Sequence, residues 1–223
     1  MLKLQAYKLQ LRTKPVHEAQ MRRFAGCCRF VWNRALALEQ DASAETKKRL
    51  GYGKIANMLP EWKKSDEFSF LSEAPSQALQ QTLKDLDNAY RNFFAKRSDF
   101  PKFKKKGGHD AFRYPQGFRV DNGNGRVFLP KIGWIRYRKS RDVLGTPKNV
   151  TVSFEAGKWY VAIQTEMEVA EPIHSSDSAI GLDMGIAHFV AMSDGRLIAP
   201  RNSFKTSEKK LAEDEDKNCE ITS

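Results

Sequence analysis

The hydrophobic repeat of this chain changes period once, and that change limits the architectures open to it. Up to residue 97, large apolar side chains return every three or four positions, as Phe24, Cys28, Val31, Ala35 and Leu38 and again as Leu79, Leu83, Leu86, Tyr90 and Phe93 or Phe94. Such spacing lays one stripe along an α-helix. After Phe100-Pro101-Lys102-Phe103 and Lys104-Lys105-Lys106-Gly107-Gly108, apolar positions alternate in short runs bounded by Gly, Pro and Asn, the pattern of strands. Helices followed by strands point to an α+β fold.

The strands can be placed. Leu2 to Arg12 alternates ahead of the helices, with one slip near Tyr7 that reads as a bulge. Thr13-Lys14-Pro15 then supplies a turn and a helix start. Later candidates are Ala111 to Tyr114, Arg126 to Leu129, Gly133 to Arg138, Val150 to Phe154 and Trp159 to Met167. Asp121-Asn122-Gly123-Asn124-Gly125 and Glu155-Ala156-Gly157 would close two hairpins. A polar link, Glu171 to Ser178, then marks a domain boundary.

Charge narrows the function. The chain has 38 Lys and Arg against 27 Asp and Glu, a net charge of +11, and a pI near 9.6. From Arg91 to Arg141 fifteen bases meet three acids, so more than the whole surplus sits in 51 residues. Rings including Phe93, Phe100, Phe103, Phe118, Phe128 and Trp134 are interleaved with those bases. Cations neutralise phosphates and exposed rings stack on unpaired bases, so nucleic acid is the expected partner. On the first long helix Arg22, Arg29 and Asn33 should project together away from the apolar stripe, with Arg23 and Arg34 in a second row. Lys102, Lys104, Lys105, Lys106, Arg113, Arg136, Arg138 and Arg141 complete the candidate contact set. In the strand Ile132 to Lys139, Trp134, Arg136 and Arg138 share one face.

Other classes are disfavoured. No eighteen apolar residues run together, and the first residues lack the apolar core of a signal peptide. Neither a membrane partner nor export is expected, and the compartment is the cytoplasm. Cys27, Cys28 and Cys219 make no disulfide framework and no C-x-x-C zinc pair.

Ser178 to Gly195 reads as two adjacent buried strands joined across Gly185, and Asp183 interrupts the first. A carboxylate there needs a partner, either a divalent cation or a backbone cap near Gly185. Asp194, in Ser-Asp-Gly, is a turn residue.

The ordered segments YKLQLR, FAGCCRFVWNRALAL, LPEWKK, PSQALQQTLKDLDNAYRNFF, FPKFKKKG, FRYPQGF, VFLPKIGWIRYRKSR, KNVTVSFEAGKWYVAIQTE and IGLDMGIAHFVAMSDG resemble the N-terminal half of the TnpB/OrfB proteins, transposon-encoded RNA-guided DNA endonucleases. The likeness covers residues 2 to about 211. It implies a split wedge-type β domain, residues 1–15 and 101–172, with a helical recognition lobe, 16–100, inserted. The first strands of an RNase H-like (RuvC) nuclease would follow over 173–211, with a divergent acidic tail at 212–223. Those strands are expected at Ala179 to Met184, Ala187 to Ser193 and Arg196 to Ala199.

By that resemblance Asp183 falls on the first catalytic carboxylate, a ligand of Mg²⁺, and the partners are guide RNA and DNA. RuvC chemistry needs about three carboxylates around two metal ions. The family's other carboxylates and its zinc ribbon have no match here. The expectation is therefore a truncated copy, from a frameshift or early stop, that binds nucleic acid without cutting it and holds no Mg²⁺ productively. Alternatives are a nuclease-dead DNA-binding regulator, or half of a split enzyme completed by a C-terminal fragment that docks near Ile180 to Ile186.

Overall fold

The structure, a computed structural model, describes residues 1–108, 110–171, 178–201 and 207–208. The chain divides into two compact units, Met1–Ala170 and Glu171–Ser223. The acidic tail, most of the link and most of the basic stretch after Arg201 lie outside the described residues.

In the first unit the order is β1 (Leu2–Arg12), α1 (Pro15–Thr46), α2 (Gly51–Lys64), a 3-10 segment (Asp66–Ser72), α3 (Ser76–Phe94), then β2 (Asp110–Tyr114), β3 (Arg119–Asp121), β4 (Arg126–Leu129), β5 (Gly133–Tyr137), β6 (Thr146–Glu155) and β7 (Lys158–Glu168). The strands form a seven-stranded antiparallel sheet in the order β2-β6-β7-β1-β5-β4-β3. The first strand thus lies inside the sheet although three helices separate it from the others in sequence. It pairs with β7 from Leu2↔Glu168 to Gln10↔Tyr160, and with β5 at Leu11↔Tyr137 and Arg12↔Arg136.

The bulge expected at Tyr7 is absent, because the β1–β7 register runs unbroken through Tyr7↔Ile163. Two faces, not a slip, explain the sequence there. Tyr7, Leu9 and Leu11 are buried on the core face, while Leu2 and Leu4 are exposed on the other. The register shift in this sheet lies between Pro147 and Asn149 of β6, where a proline cannot donate to the ladder. Just before it, Gly145 has φ +81°, and a Cβ there would stand 2.7 Å from the Glu166 carbonyl oxygen. Only glycine fits.

Helix α1 buries one broad apolar face. Met21, Phe24, Val31, Ala35 and Leu36 are fully buried, and Phe24 meets Phe112 of β2 edge to face at 5.8 Å between ring centres. On α3, Leu79, Leu83, Leu86 and Tyr90 form the expected buried stripe. The turn from α1 to α2 is closed by Glu39, which is buried. Its carboxylate accepts the backbone N–H groups of Leu50 and Gly51 at 3.0 and 2.9 Å and an Arg49 N–H at 3.2 Å. A carboxylate at the first amides of α2 satisfies donors that the helix cannot pair internally.

The second unit holds β8 (Leu182–Asp183), β9 (Val190–Met192) and β10 (Leu197–Ile198) in the antiparallel order β10-β9-β8. These strands are shorter than expected, and they are not buried. Leu182, Met184, Ile186 and Phe189 are all exposed, and among the described residues of this unit only Val190 is buried. A short single-layer sheet cannot bury two faces. Asp194 is the turn residue expected: it accepts the Arg196 backbone N–H at 3.1 Å and its side chain at 2.7 Å.

Candidate nucleic-acid interface

Alternation along β5 buries Ile135 and Tyr137 and turns Trp134 and Arg136 outward. Register then extends that outward face across four strands. One rung runs Arg119↔Phe128↔Trp134, and the next runs Asp121↔Arg126↔Arg136↔Arg12. The first rung is aromatic, with Phe128 and Trp134 edge to face at 5.6 Å and the Arg119 guanidinium 4.9 Å from the Phe128 ring. The second is cationic.

Within the cationic rung Arg126 is held by the Asp121 carboxylate at 2.7 Å and lies 4.6 Å from the Trp134 ring. Hydrogen bonds from the Asn124 side chain and backbone, then Arg126, hold the Asp121 carboxyl well below its ordinary value, at about 2. That charge is spent on Arg126. Arg12 and Arg136 face each other with no ion-pair partner among the described residues, an arrangement that costs stability unless an anion joins them. Where β1 and β5 part, Arg138 donates its backbone N–H to Gln10 at 2.8 Å. A cleft of about 370 Å³ there is lined by Arg12, Arg138 and Lys158 together with Thr13 and Glu18.

A second cationic element is the lysine run after α3. Trp32 of α1 donates its indole N–H to the Lys102 carbonyl at 3.0 Å, and the Lys104 ammonium sits 3.8 Å from the Trp32 ring centre. Lys104 as a whole is exposed, but burial of its charged end pushes its pKa below the ordinary lysine value. Lys105 and Lys106 are exposed. Lys102 stands 3.7 Å from Asp99, both largely in solvent.

The arginines of α1 have neighbours that the helical wheel does not show, although Arg22 and Arg23 stay exposed while Arg29 and Arg34 are half-buried. Arg29 makes a half-buried ion pair with Asp110 at 2.7 Å, and Arg23 pairs with Glu73 at 3.2 Å. Arg22 lies 4.4 Å from the Phe154 ring, and Arg34 lies 4.3 Å from Phe68 and 5.2 Å from Trp62. Asn33, half-buried, holds the lysine run. These groups fasten α1 to its neighbours. Arg113 likewise contacts Asp85 at 3.5 Å and Thr151 at 3.2 Å, while Arg141 lies 5.9 Å from the Tyr7 ring.

Sequence reasoning named Arg136 and Arg138 but missed Arg12, Arg119, Arg126 and Lys158. The alternation of Arg126 with Val127 and of Phe128 with Leu129 carried the same signal as Trp134 and Arg136. Arg12 carried none, because its neighbour lies 124 residues further along the chain.

Asp183, in the second unit, is exposed on β8 and pairs through the backbone register with Ala191. No three His, Cys, Asp or Glu among the described residues lie close enough to hold a metal ion. A two-metal site needs about three carboxylates, and the described residues form no such group. Among the described residues, no helix is long and apolar enough to cross a membrane.

Residues 1–48 match the family HTH_OrfB_IS605, described as a helix-turn-helix domain. In this chain they fold as β1 and a single unbroken helix. Over 212 residues the chain is 56% identical to "Putative RNA-guided DNA endonuclease InsQ" of Escherichia coli (strain K12), an alignment covering 95% of this chain and 53% of that protein. It is 34% identical over 197 residues to "Putative RNA-guided DNA endonuclease" of Streptomyces pristinaespiralis, covering 86% and 49%. Along most of its length the chain is similar to proteins of the TnpB/OrfB kind. It spans about half the length of the curated relatives it matches. A cryo-EM structure of the Cas12f1–sgRNA–target DNA complex aligns with 96% of this chain and 61% of its own at 13% identity and a TM-score of 0.36.

Proposed function

We propose that this chain is the nucleic-acid-binding portion of an RNA-guided DNA endonuclease, acting in the cytoplasm, and that it holds guide RNA and DNA without cutting DNA by itself. The observation that carries this reading is the Arg12–Arg136 pair. Two arginines opposite each other in register, with no ion-pair partner among the described residues, are unfavourable in the free protein and favourable against a phosphate backbone. In the family's terms the sheet of the first unit is the wedge, α1 to α3 are the recognition lobe, and the second unit opens the nuclease. Mg²⁺ would be a cofactor of the completed nuclease only, with Asp183 as one ligand, since the described residues form no group of three possible ligands.

The test is direct. The purified chain should bind guide RNA with an affinity that falls roughly 10³-fold between 50 and 200 mM salt, as for about six phosphate contacts. It should leave target DNA intact when Mg²⁺ is added. A flat salt response would remove the polycation argument, and a Mg²⁺-dependent cut would overturn the non-cleaving reading.

The split-enzyme reading is favoured by one further observation. In the second unit Leu182 is 61% exposed, Met184 68% and Ile186 99%, a cluster that a complementing polypeptide would cover. Co-expression with the C-terminal half of the relative from Escherichia coli should then restore Mg²⁺-dependent cleavage, and Asp183→Asn should abolish it. A DNA-binding regulator would need a reading element of its own, and residues 1–48 hold one helix where a helix-turn-helix needs two. Footprinting with and without RNA separates that reading from ours, which expects protection only with RNA.

A further inference from the structure

We infer that the outward face of β3, β4 and β5 is a stacking platform for an unpaired stretch of RNA, with a base on Trp134 and neighbouring phosphates on Arg136 and Arg12. The inference rests on the guide-RNA reading above and specifies which part of the RNA meets this sheet.

The first argument is exposure. The chain has four tryptophans, and Trp32, Trp62 and Trp159 are 8% exposed or less, whereas Trp134 is 40% exposed. A tryptophan left in water on the outward face of β5, near the β4–β5 turn, forgoes the burial that holds its three counterparts in the core.

Rigidity is the second. Trp134 is braced by the Phe128 ring at 5.6 Å and by Arg126 at 4.6 Å, and Arg126 is itself fixed by Asp121, whose carboxylate also accepts the Asn124 backbone and side-chain N–H groups at 3.0 and 2.8 Å. The ring is therefore held in place before any ligand arrives, and stacking on it orders little else.

The third argument is the pattern of the two rungs. Phe128 and Trp134 occupy one rung, and the next carries Arg136 and Arg12, which have no ion-pair partner among the described residues, beside the Asp121–Arg126 pair, on the same face of adjacent strands. Ring and cation side by side suit a base with its own flanking phosphate. A duplex keeps its bases stacked inside and offers such a face only phosphates, so the rings would gain nothing. An acidic peptide would engage the arginines but leave Trp134 without a partner.

Tryptophan emission tests this on the whole chain, because Trp134 alone among the four rings is open to a quencher. Short single-stranded oligouridine should quench the emission, and the same oligouridine annealed to oligoadenine should not. Trp134→Phe should lose the quench yet keep most of the affinity, since a ring remains. Trp134→Ala should bind oligouridine roughly 5- to 100-fold more weakly, the range expected for one stacked base. Trp134→Ala binding as tightly as the parent, or a duplex quenching as strongly as the single strand, would overturn the platform. If Trp134→Ala is silent while Arg12→Gln and Arg136→Gln still weaken binding, the platform fails and the guide-RNA reading stands. If the parent chain binds no RNA at all, both fail. Because Trp134 is exposed, the variants should keep the parental circular dichroism spectrum, and polyglutamate should not compete with oligouridine.

Discussion

Asn33 grips Lys104 with both ends of its side-chain amide. Its Nδ2 donates to the Lys104 carbonyl at 3.0 Å, and its Oδ1 accepts the Lys104 backbone N–H at 2.8 Å. With the Trp32 bond to the Lys102 carbonyl, two consecutive residues of α1 hold the start of the lysine run in one conformation. Lys105 and Lys106 follow directly from that anchored backbone. A cationic loop ordered in advance binds phosphate with less loss of chain entropy than a free one.

Asn33→Ala removes both hydrogen bonds, each worth about 0.5–1.5 kcal/mol, so unfolding free energy in urea should drop by about 1–3 kcal/mol. Trypsin should then cut at Lys104 to Lys106 several-fold faster under native conditions. Unchanged cleavage would mean that the loop is held by Trp32 alone.

Arg136→Gln should move stability and binding in opposite directions. Removing one of two facing guanidiniums relieves like-charge repulsion, raising unfolding free energy by about 0.2–1 kcal/mol. RNA affinity should fall, and the slope of log K against log salt should shrink by roughly 0.7–0.9 for the lost phosphate contact. A variant that is both less stable and equally tight would show that Arg136 serves the fold.

The helical and strand periods of the first unit are legible in the sequence because each is a local repeat. The stripe Leu79, Leu83, Leu86, Tyr90 is buried as read, and strand β4 has the predicted ends. Register is not local. The alternation Leu2, Leu4, Ala6 followed by Tyr7, Leu9, Leu11 reads as one face with a slip, and only pairing with β7 shows two faces. The same limit hid Arg12, which meets Arg136 only through the pairing of β1 with β5. Arg29 and Arg34 show the opposite case. A helical wheel shows which way a guanidinium points but not that Asp110 or Phe68 waits there.

Glu39 should be the most costly surface-distant carboxylate to change. It is 2% exposed and serves two α2 amides and Arg49, which also contacts Asp87 at 3.1 Å. Glu39→Ala strands those donors and should cost about 3–5 kcal/mol. Glu39→Gln keeps an acceptor and should cost less. Equal losses in the two variants would show that packing, not the hydrogen bonds, holds the helix junction.

The paired thiols of α1 make the fold sensitive to alkali. Burial, then the nearby Glu73 carboxylate, pushes Cys27 up to about 11, and burial pushes Cys28 up to about 12, from an ordinary value of 9.0. Above pH 9 the unfolded chain releases these protons while the folded chain keeps them. The unfolded state then binds fewer protons, so stability is intact below pH 9 and declines as pH rises towards 11 and 12. Lysines and tyrosines titrate in the same range, so the comparison is with Cys27→Ala/Cys28→Ala, whose urea midpoint should fall less between pH 8 and pH 10 than the parent's. At pH 8 iodoacetamide should modify Cys27 and Cys28 only as fast as the chain unfolds, with mass spectrometry separating them from Cys219. Parallel loss of stability in parent and variant, or rapid native alkylation of Cys28, would show that these thiols ionise as they would in water.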